Sequence, residues 1–483
     1  MKKSAIIILL AWIVGQTLYS QSSLRPRGDV NCDWEVNIAD SSSANVSYSG
    51  TLPVLFINTE NAQPITEKGI YIRGSYYLDA LEIPGYESIG SADEPLGLQI
   101  KGRGNWTWTH FDKKPYHIKL DTKQGLMGMN EGKHFMLMAH AEDYYGYLRE
   151  GTAFELSRRI GMSYTPAEEP IEVVLNGDYI GLYFLTEQIR VNQHRVNIIE
   201  QKDKDTIPEN ITGGWLIEID GYPDENPILL DSRDGYWFPV VSHSPEVLSD
   251  IQHDYLVGLI DRIDELIYES DSLDCEWEQY LDMDSLACYY IVNEVMDNIE
   301  SFSGSCYLHK QRGENTKLIF GPVWDFGNSF NRSTPNYIYE DNPIYMTHWL
   351  KGVLKFPKFR QCVIQHWKEF YDNGLVGIDD FIDQYVEKIQ AASITNEARW
   401  PSIGFTDLDW RKTLFKDKLH EKINFLNNGW TSHVDELHED REIIKVMYVN
   451  PSGIVSLSPH EGINFVIITY SNGDTVTMKR LMK

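Results

Sequence analysis

The hydrophobic period of this chain changes partway along, and that change limits the fold more than any single motif. From Leu52 to about Tyr222 apolar residues recur mainly every second position, whereas from Val247 to about Leu437 they recur every three or four. A period of two sorts side chains onto the faces of a sheet, and a period near 3.6 gathers them into one stripe of a helix. The pattern predicts an α+β chain, with a β-rich half over 51–246 and a mostly helical half over 247–440. The tail, 441–483, returns to β, with Ser471-Asn-Gly-Asp474 as a hairpin turn between Phe465–Tyr470 and Thr475–Met478.

Within the first half, Val54–Ile57, Tyr71–Arg73, Leu98–Lys101, Tyr116–Leu120, Glu172–Leu175 and Gly181–Leu185 are the expected strands. Asn176-Gly177 lies between the last two and is a strong hairpin signal. One helix is expected between them, about Tyr144 to Ile160, closed by Gly161. In the second half the 3.6 period predicts helices over Asp284–Val295, Lys358–Tyr371, Ile378–Ile394 and Thr413–Leu426. A short β element, Lys317–Phe320, interrupts them.

Met1-Lys-Lys3 followed by the apolar run Ala5–Val14 and a small residue at Ser20 has the form of a secretory signal peptide over 1–20. The expected location is therefore secreted or cell-surface. No other stretch has the roughly 20 apolar residues a spanning helix needs, so no membrane span is expected. The 43 basic and 71 acidic residues give a net charge of −28, which argues against nucleic acid or anionic membrane as partner. Cys32, Cys275, Cys288, Cys306 and Cys362 show no CxxC pairing and no metal-ligand spacing with His, and Cys275 is close enough in sequence to bridge Cys288.

Residues 21–50 form a polar linker. Inside it, Asp29, Asn31, Asp33, Asn37 and Asp40 occupy positions 1, 3, 5, 9 and 12 of a loop, the oxygen spacing of an EF-hand calcium site. The segment resembles one dockerin repeat, with Trp34 where the loop turn takes Gly. Both a calcium site and a vestigial linker fit these residues.

Several clusters have the residue types that phosphate chemistry uses, and each has a plainer reading beside it. Lys101-Gly-Arg103-Gly-Asn105 offers backbone N–H groups and a guanidinium fork to an anion, or is only a tight turn. His117 and Lys119 share one face of a strand, either a phosphate-facing lysine or a solvated face. Glu155 can order such a lysine from the helix, or pair locally with Arg158 and Arg159. Thr186-Glu187 closes a strand, and Glu218 and Asp220 lie on one face of another, suited to a metal or to a polar surface. Asn298-Ile-Glu300, then Asp325-Phe-Gly327 just past a short strand, places two carboxylates where phosphoryl transfer uses a proton acceptor and a metal ligand.

In order along about 52–430, Lys101–Asn105, Lys114–Lys119, Arg149 with Ala153–Gly161, Asn176–Glu187, Gly214–Asp220, Asn298 and Gly321–Phe326 resemble the CotH kinase family, exported kinase-like proteins of the spore-coat protein H type. The resemblance implies an atypical, two-lobe protein-kinase-like fold over 51–440. It implies binding of ATP with Mg²⁺ or Mn²⁺, and phosphorylation of Ser/Thr on exported proteins. Carried onto this chain, Arg103 and Lys119 face the phosphates, Glu155 orders Lys119, and Asn105 and Glu187 complete the nucleotide set. Asp325 and Asn298 hold metal, and Glu300 takes the hydroxyl proton. The family usually shows Asn-x-Asp where this chain has Asn298-Ile-Glu300, and Trp-Asp-x-Asp where it has Trp324-Asp-Phe-Gly327. Two functions therefore stand side by side: a metal-dependent phosphotransferase, and a kinase-like surface binding or adhesion protein without turnover. The sequence carries no sign of the oligomeric state.

Overall fold

The structure, a computed structural model, describes residues 47–202, 205–223, 227–270, 273–340, 348–403, 407–431, 443–460, 462–470 and 475–482. The signal-peptide segment and the calcium-loop residues Asp29, Asn31, Asp33, Asn37 and Asp40 lie outside them. So do Cys32 and the turn at 471–474.

Seven strands run in chain order: β1 (Val54–Thr59), β2 (Ile72–Asp79), β3 (Leu96–Gly102), β4 (Tyr116–Gln124), β5 (Gly132–Met138), β6 (Glu168–Leu175) and β7 (Asp178–Glu187). They close into a barrel of order β1-β2-β3-β4-β5-β7-β6. Neighbours are antiparallel except at the seam, where β1 and β6 pair in parallel from Val54↔Glu172 to Ile57↔Leu175. The period of two explains the interior. Tyr116, Ile118 and Leu120 point inward with Leu98, Ile100, Phe135 and Leu185, while His117 and Lys119 take the outer face. Burial of each large apolar side chain here contributes about 1.5–3 kcal/mol. Between β6 and β7, Asn176 and Gly177 have φ of 52° and 81°, the doubly left-handed turn that the Asn-Gly pair predicts.

A second, five-stranded sheet contains β8 (Trp215–Ile219), β9 (Ile228–Asp231), β10 (Trp237–Ser244), β11 (Cys306–Lys310) and β12 (Leu318–Phe320), in the order β12-β11-β8-β10-β9. β8 pairs with β11 over Cys306↔Ile219 to Lys310↔Trp215. The α+β class holds, but the expected border at residue 246 runs through one hydrogen-bonded sheet. The simple picture of a β lobe followed by a helical lobe gives way to a closed barrel plus a sheet shared by both halves. Main-chain pairing between distant strands leaves no trace in hydrophobic period, so the sequence could not show it.

The longer helices are α1 (Arg149–Arg159), α2 (Asp250–Tyr268), α3 (Met283–Val295), α4 (Pro357–Glu369), α5 (Ile378–Arg399) and α6 (Leu408–Thr431). Helix α1 starts five residues later than its apolar pattern suggests. The preceding turn is held by Asp143, whose Oδ1 accepts the Tyr145 N–H and the Arg149 Nε–H, both at 2.9 Å. Helix α3 is capped by Asp282, which accepts the Ser285 N–H at 2.8 Å, and it packs on α4.

The chain divides into two compact units, Met1–Leu426 and Asn427–Lys483. The second contains β13 (Ile443–Val449), β14 (Val455–Ser456), β15 (Gly462–Tyr470) and β16 (Thr475–Met482), an antiparallel sheet of order β14-β13-β15-β16 that extends the expected hairpin. No described helix is long and apolar enough to cross a membrane. Cys275, Cys288, Cys306 and Cys362 are free thiols, so the Cys275–Cys288 bridge does not form.

Candidate active site

Three chain segments bring carboxylates together. Asp220 follows β8, Glu300 lies in the loop after α3, and Asp325 lies just past β12. Asp325 is exposed between buried Trp324 and Phe326, and its φ is 62°. A left-handed non-glycine residue costs free energy and persists only where its surroundings hold it. Here they do so from two sides. The Glu150 carboxyl accepts the Asp325 N–H at 3.1 Å and the Phe326 N–H at 2.8 Å, and Asn298 Nδ2 donates to the Asp325 carbonyl at 3.1 Å. The loop carrying Asn298 is itself anchored by buried Lys422, whose Nζ lies 2.9 Å from both Glu294 Oε2 and Asp297 Oδ1.

The three carboxylates act on one another. Burial pushes Glu300 up to about 7, with the charges of Asp325 and Asp220 adding to the rise and the hydrogen bond from Asn328 opposing it. Asp220 rises to about 6 through burial, Glu218 and Asp325, against the backbone hydrogen bond it accepts from Tyr222 at 2.8 Å. Glu150 rises to about 8, again by burial first and Asp325 second. Such a cluster holds protons because its carboxylates are buried near like charges, and a bound divalent ion would reverse that balance. Oxygen donors from Asp220, Glu300 and Asp325 are the hard ligands that Mg²⁺ or Mn²⁺ takes. Asn298 adds another candidate: its Oδ1 is buried without a hydrogen-bond partner, while Nδ2 serves Asn293 Oδ1 and the Asp325 carbonyl.

Facing the acids is a basic strip on the outer surface of β3 and β4. The Arg103 guanidinium lies 5.9 Å from the Trp324 ring, next to Asp325. Lys101 Nζ is 4.9 Å and Lys119 Nζ 6.0 Å from the ring of Tyr71, whose hydroxyl is 3.1 Å from His117 Nδ1. Burial first, then His134, Lys101, Arg103 and Arg190, holds His117 down to about 2, and burial first, then Arg190, Lys119, Arg195 and Lys133, holds His134 down to about 3. The lysines and arginines around the two rings form a locally basic patch in a strongly acidic protein, the setting an anion requires.

The structure joins some of the sequence-derived site residues and separates others. Arg103, Asn298, Glu300 and Asp325 converge. Asn105 sits beside them, donating to the Tyr222 carbonyl at 3.0 Å. Lys119 pairs across the sheet with Gln99, four residues from Arg103, so it stands about 13 Å back along the strand and Lys101 is the nearer lysine. The expected Lys119–Glu155 pair is not made. Glu155 binds Arg159 at 2.7 Å and Arg158 at 3.2 Å on its own helix, because partners one turn away are reached without any tertiary constraint. Glu187 is buried in an internal network with Tyr164, the Ala167 N–H and Arg195 rather than at the cluster. Sequence reasoning missed Glu150, whose only local sign is a charged residue in the first turn of an otherwise core-facing helix.

The chain matches the family described as CotH kinase protein over residues 100–434, more than two-thirds of its length, a span that includes Arg103, Glu150, Asp220, Asn298, Glu300 and Asp325. It belongs to that family. No curated protein matches the sequence. In this CotH protein the Asn298-Ile-Glu300 and Asp325-Phe-Gly327 segments lie side by side.

Proposed function

We propose that this CotH protein is an exported, metal-dependent kinase that transfers the γ-phosphoryl group of ATP to Ser or Thr hydroxyls of exported proteins. The observation that carries the reading is Glu300, a carboxylate beside Asp325 with its proton affinity raised to about 7, where a general base works best at neutral pH. Asn328 orients it through a hydrogen bond to Oε2. Arg103 and Lys101 are placed to receive phosphate oxygens, and Asp325, Asp220 and Asn298 would hold Mg²⁺ or Mn²⁺. The cation neutralises phosphate charge when bound. Glu300 accepts the proton of the acceptor hydroxyl as its oxygen bonds to phosphorus, and ADP leaves with the electrons of the broken P–O bond.

A kinase-like binding protein without turnover is the second reading. It is favoured by the same Asn328 contact, which occupies one oxygen of Glu300. Labelled ATP with Mn²⁺ separates the two. Wild type should transfer label, Glu300→Gln should fall about 100-fold or more, and Glu300→Asp should retain or gain rate. Equal transfer by wild type and Glu300→Gln removes Glu300 as the base. Bound ATP with no transfer by any variant establishes the binding protein.

A further inference from the structure

Away from the carboxylate cluster, at the opposite end of α3, two pairs of side chains one helical turn apart face each other. Asp284 and Cys288 lie on α3, and Cys362 and His366 on α4. Asp284 Oδ1 is 2.8 Å from His366 Nε2 and 3.5 Å from Cys362 Sγ, and the three ligand atoms lie within 4.8 Å of one another. Behind the imidazole, Cys288 Sγ is 3.7 Å from Nδ1. The spacing of four that brings each pair onto one helix face also governs the Cys362–His366 relationship, so a ligand spacing between Cys and His does exist in this chain.

We propose that Asp284, Cys362 and His366 form a second metal site, selective for a borderline or soft divalent cation of the Zn²⁺ type, with Cys288 as a positioning residue for His366. A tetrahedral zinc with bonds of about 2.0–2.3 Å separates its ligand atoms by about 3.3–3.6 Å. The Sγ–Oδ1 separation of 3.5 Å already meets this, and the Nε2–Oδ1 separation of 2.8 Å has to open by only about half an ångström. With Nε2 as ligand, Nδ1 carries the proton and points it at Cys288 Sγ, the outer contact that fixes a ligating imidazole. Thiolate and imidazole donors distinguish this site from the all-oxygen cluster, which suits Mg²⁺ or Mn²⁺. Asp284 is exposed and leaves room for a water as fourth ligand. As a ligand Cys362 gives up its proton to become thiolate, so metal uptake releases a proton. Bound metal would clamp α3 to α4, and α3 leads directly into the loop of Asn298 and Glu300.

Titration of the full, reduced chain with Co²⁺ tests this. One equivalent should produce a thiolate-to-cobalt charge-transfer band that Zn²⁺ bleaches. The band should vanish in Cys362→Ser, and His366→Ala and Asp284→Asn should weaken binding at least 10-fold. It should persist in Cys288→Ser with affinity reduced about 10-fold, and persist unchanged in Asp325→Asn, which separates this site from the carboxylate cluster. Asp284 is exposed, so its variant folds regardless of the outcome at the half-buried Cys362 and His366. No band in wild type, or an undiminished band in Cys362→Ser, overturns the proposal.

Discussion

Glu150 grips Asp325 by its main chain: one carboxyl accepts the N–H groups of Asp325 and Phe326, at 3.1 and 2.8 Å. An acid on the first turn of α1 thereby fixes the direction of an acid beyond β12 while its own charge opposes it. The tension is relieved because Glu150, raised to about 8, keeps its proton at neutral pH. A neutral carboxyl still accepts both hydrogen bonds.

Glu150→Gln keeps one acceptor oxygen but turns its NH2 toward the other N–H, so near pH 7 it should fall between wild type and Glu150→Ala in thermal stability, and the gap to wild type should narrow above pH 8, where wild-type Glu150 ionises beside Asp325. Glu150→Ala should lose about 2–4 kcal/mol at either pH, since two buried N–H groups lose their acceptor. Denaturant unfolding of the three proteins at pH 7 and pH 9 measures both differences. A Glu150→Gln protein as unstable as Glu150→Ala would falsify the clamp.

Asp325→Asn should stabilise the metal-free protein, and the gain should grow as pH rises from about 5 to 8. The sign follows from linkage. Burial first, and the Asp325 charge after it, raises the proton affinity of Glu300, Asp220 and Glu150 above the unfolded value of roughly 4. Groups raised in this way hold extra protons in the fold, and they cost stability as pH climbs through their folded values of about 6, 7 and 8. Without the Asp325 charge that cost shrinks, by about 1–3 kcal/mol near pH 8. The same variant should lose Mn²⁺-dependent nucleotide binding. Paired melting curves across this pH range decide the matter, and a gain that is flat or falling with pH counts against it.

Asp325→Ala is not equivalent to Asp325→Asn. At φ 62° an Asn is tolerated, whereas Ala pays about 1–2 kcal/mol for the left-handed backbone. Asp325→Gly should recover that difference, and unfolding free energies in the order Asn and Gly above Ala are the expected result.

Arg103→Ala should weaken nucleotide binding about 10-fold or more, and Arg103→Lys should rescue little, since both the fork and the stacking on Trp324 are lost. Lys101→Ala should weaken binding more than Lys119→Ala, and Glu155→Ala should leave it unchanged. Equilibrium binding of a fluorescent ATP analogue with Mn²⁺ ranks the four positions. A Glu155→Ala defect equal to that of Arg103→Ala restores the helix glutamate as a partner of the phosphate strip.

Local chemistry was legible and long-range pairing was not. Asn176-Gly177 announced its turn because no other pair adopts two successive positive φ values so readily. Tyr116, Ile118 and Leu120 announced the barrel interior by alternation. The seam between Val54 and Glu172 announced nothing, because residues 118 apart share no local signal. The site divides likewise. Glu300 and Asp325 stand in recognisable tripeptides, whereas Glu150 was hidden behind Glu155, whose arginines at i+3 and i+4 made the more visible pattern. Asp284, Cys288, Cys362 and His366 were legible only as two spacings of four, and the packing of α3 on α4 was needed to bring them together.

The sheet that β8 shares with β11 also sets an order of events. All seven barrel strands lie between Val54 and Glu187, so a chain emerging N-terminus first can finish its barrel early. Strand β8 then waits for a partner that begins at Cys306, 87 residues after Ile219, with that edge of its backbone unpaired. Bare edges recruit other chains, and distant pairings form slowly. A nascent chain halted between these strands therefore owns a completed barrel, a sticky margin and no Asp325. The interval before β11 arrives is when this protein most needs a chaperone.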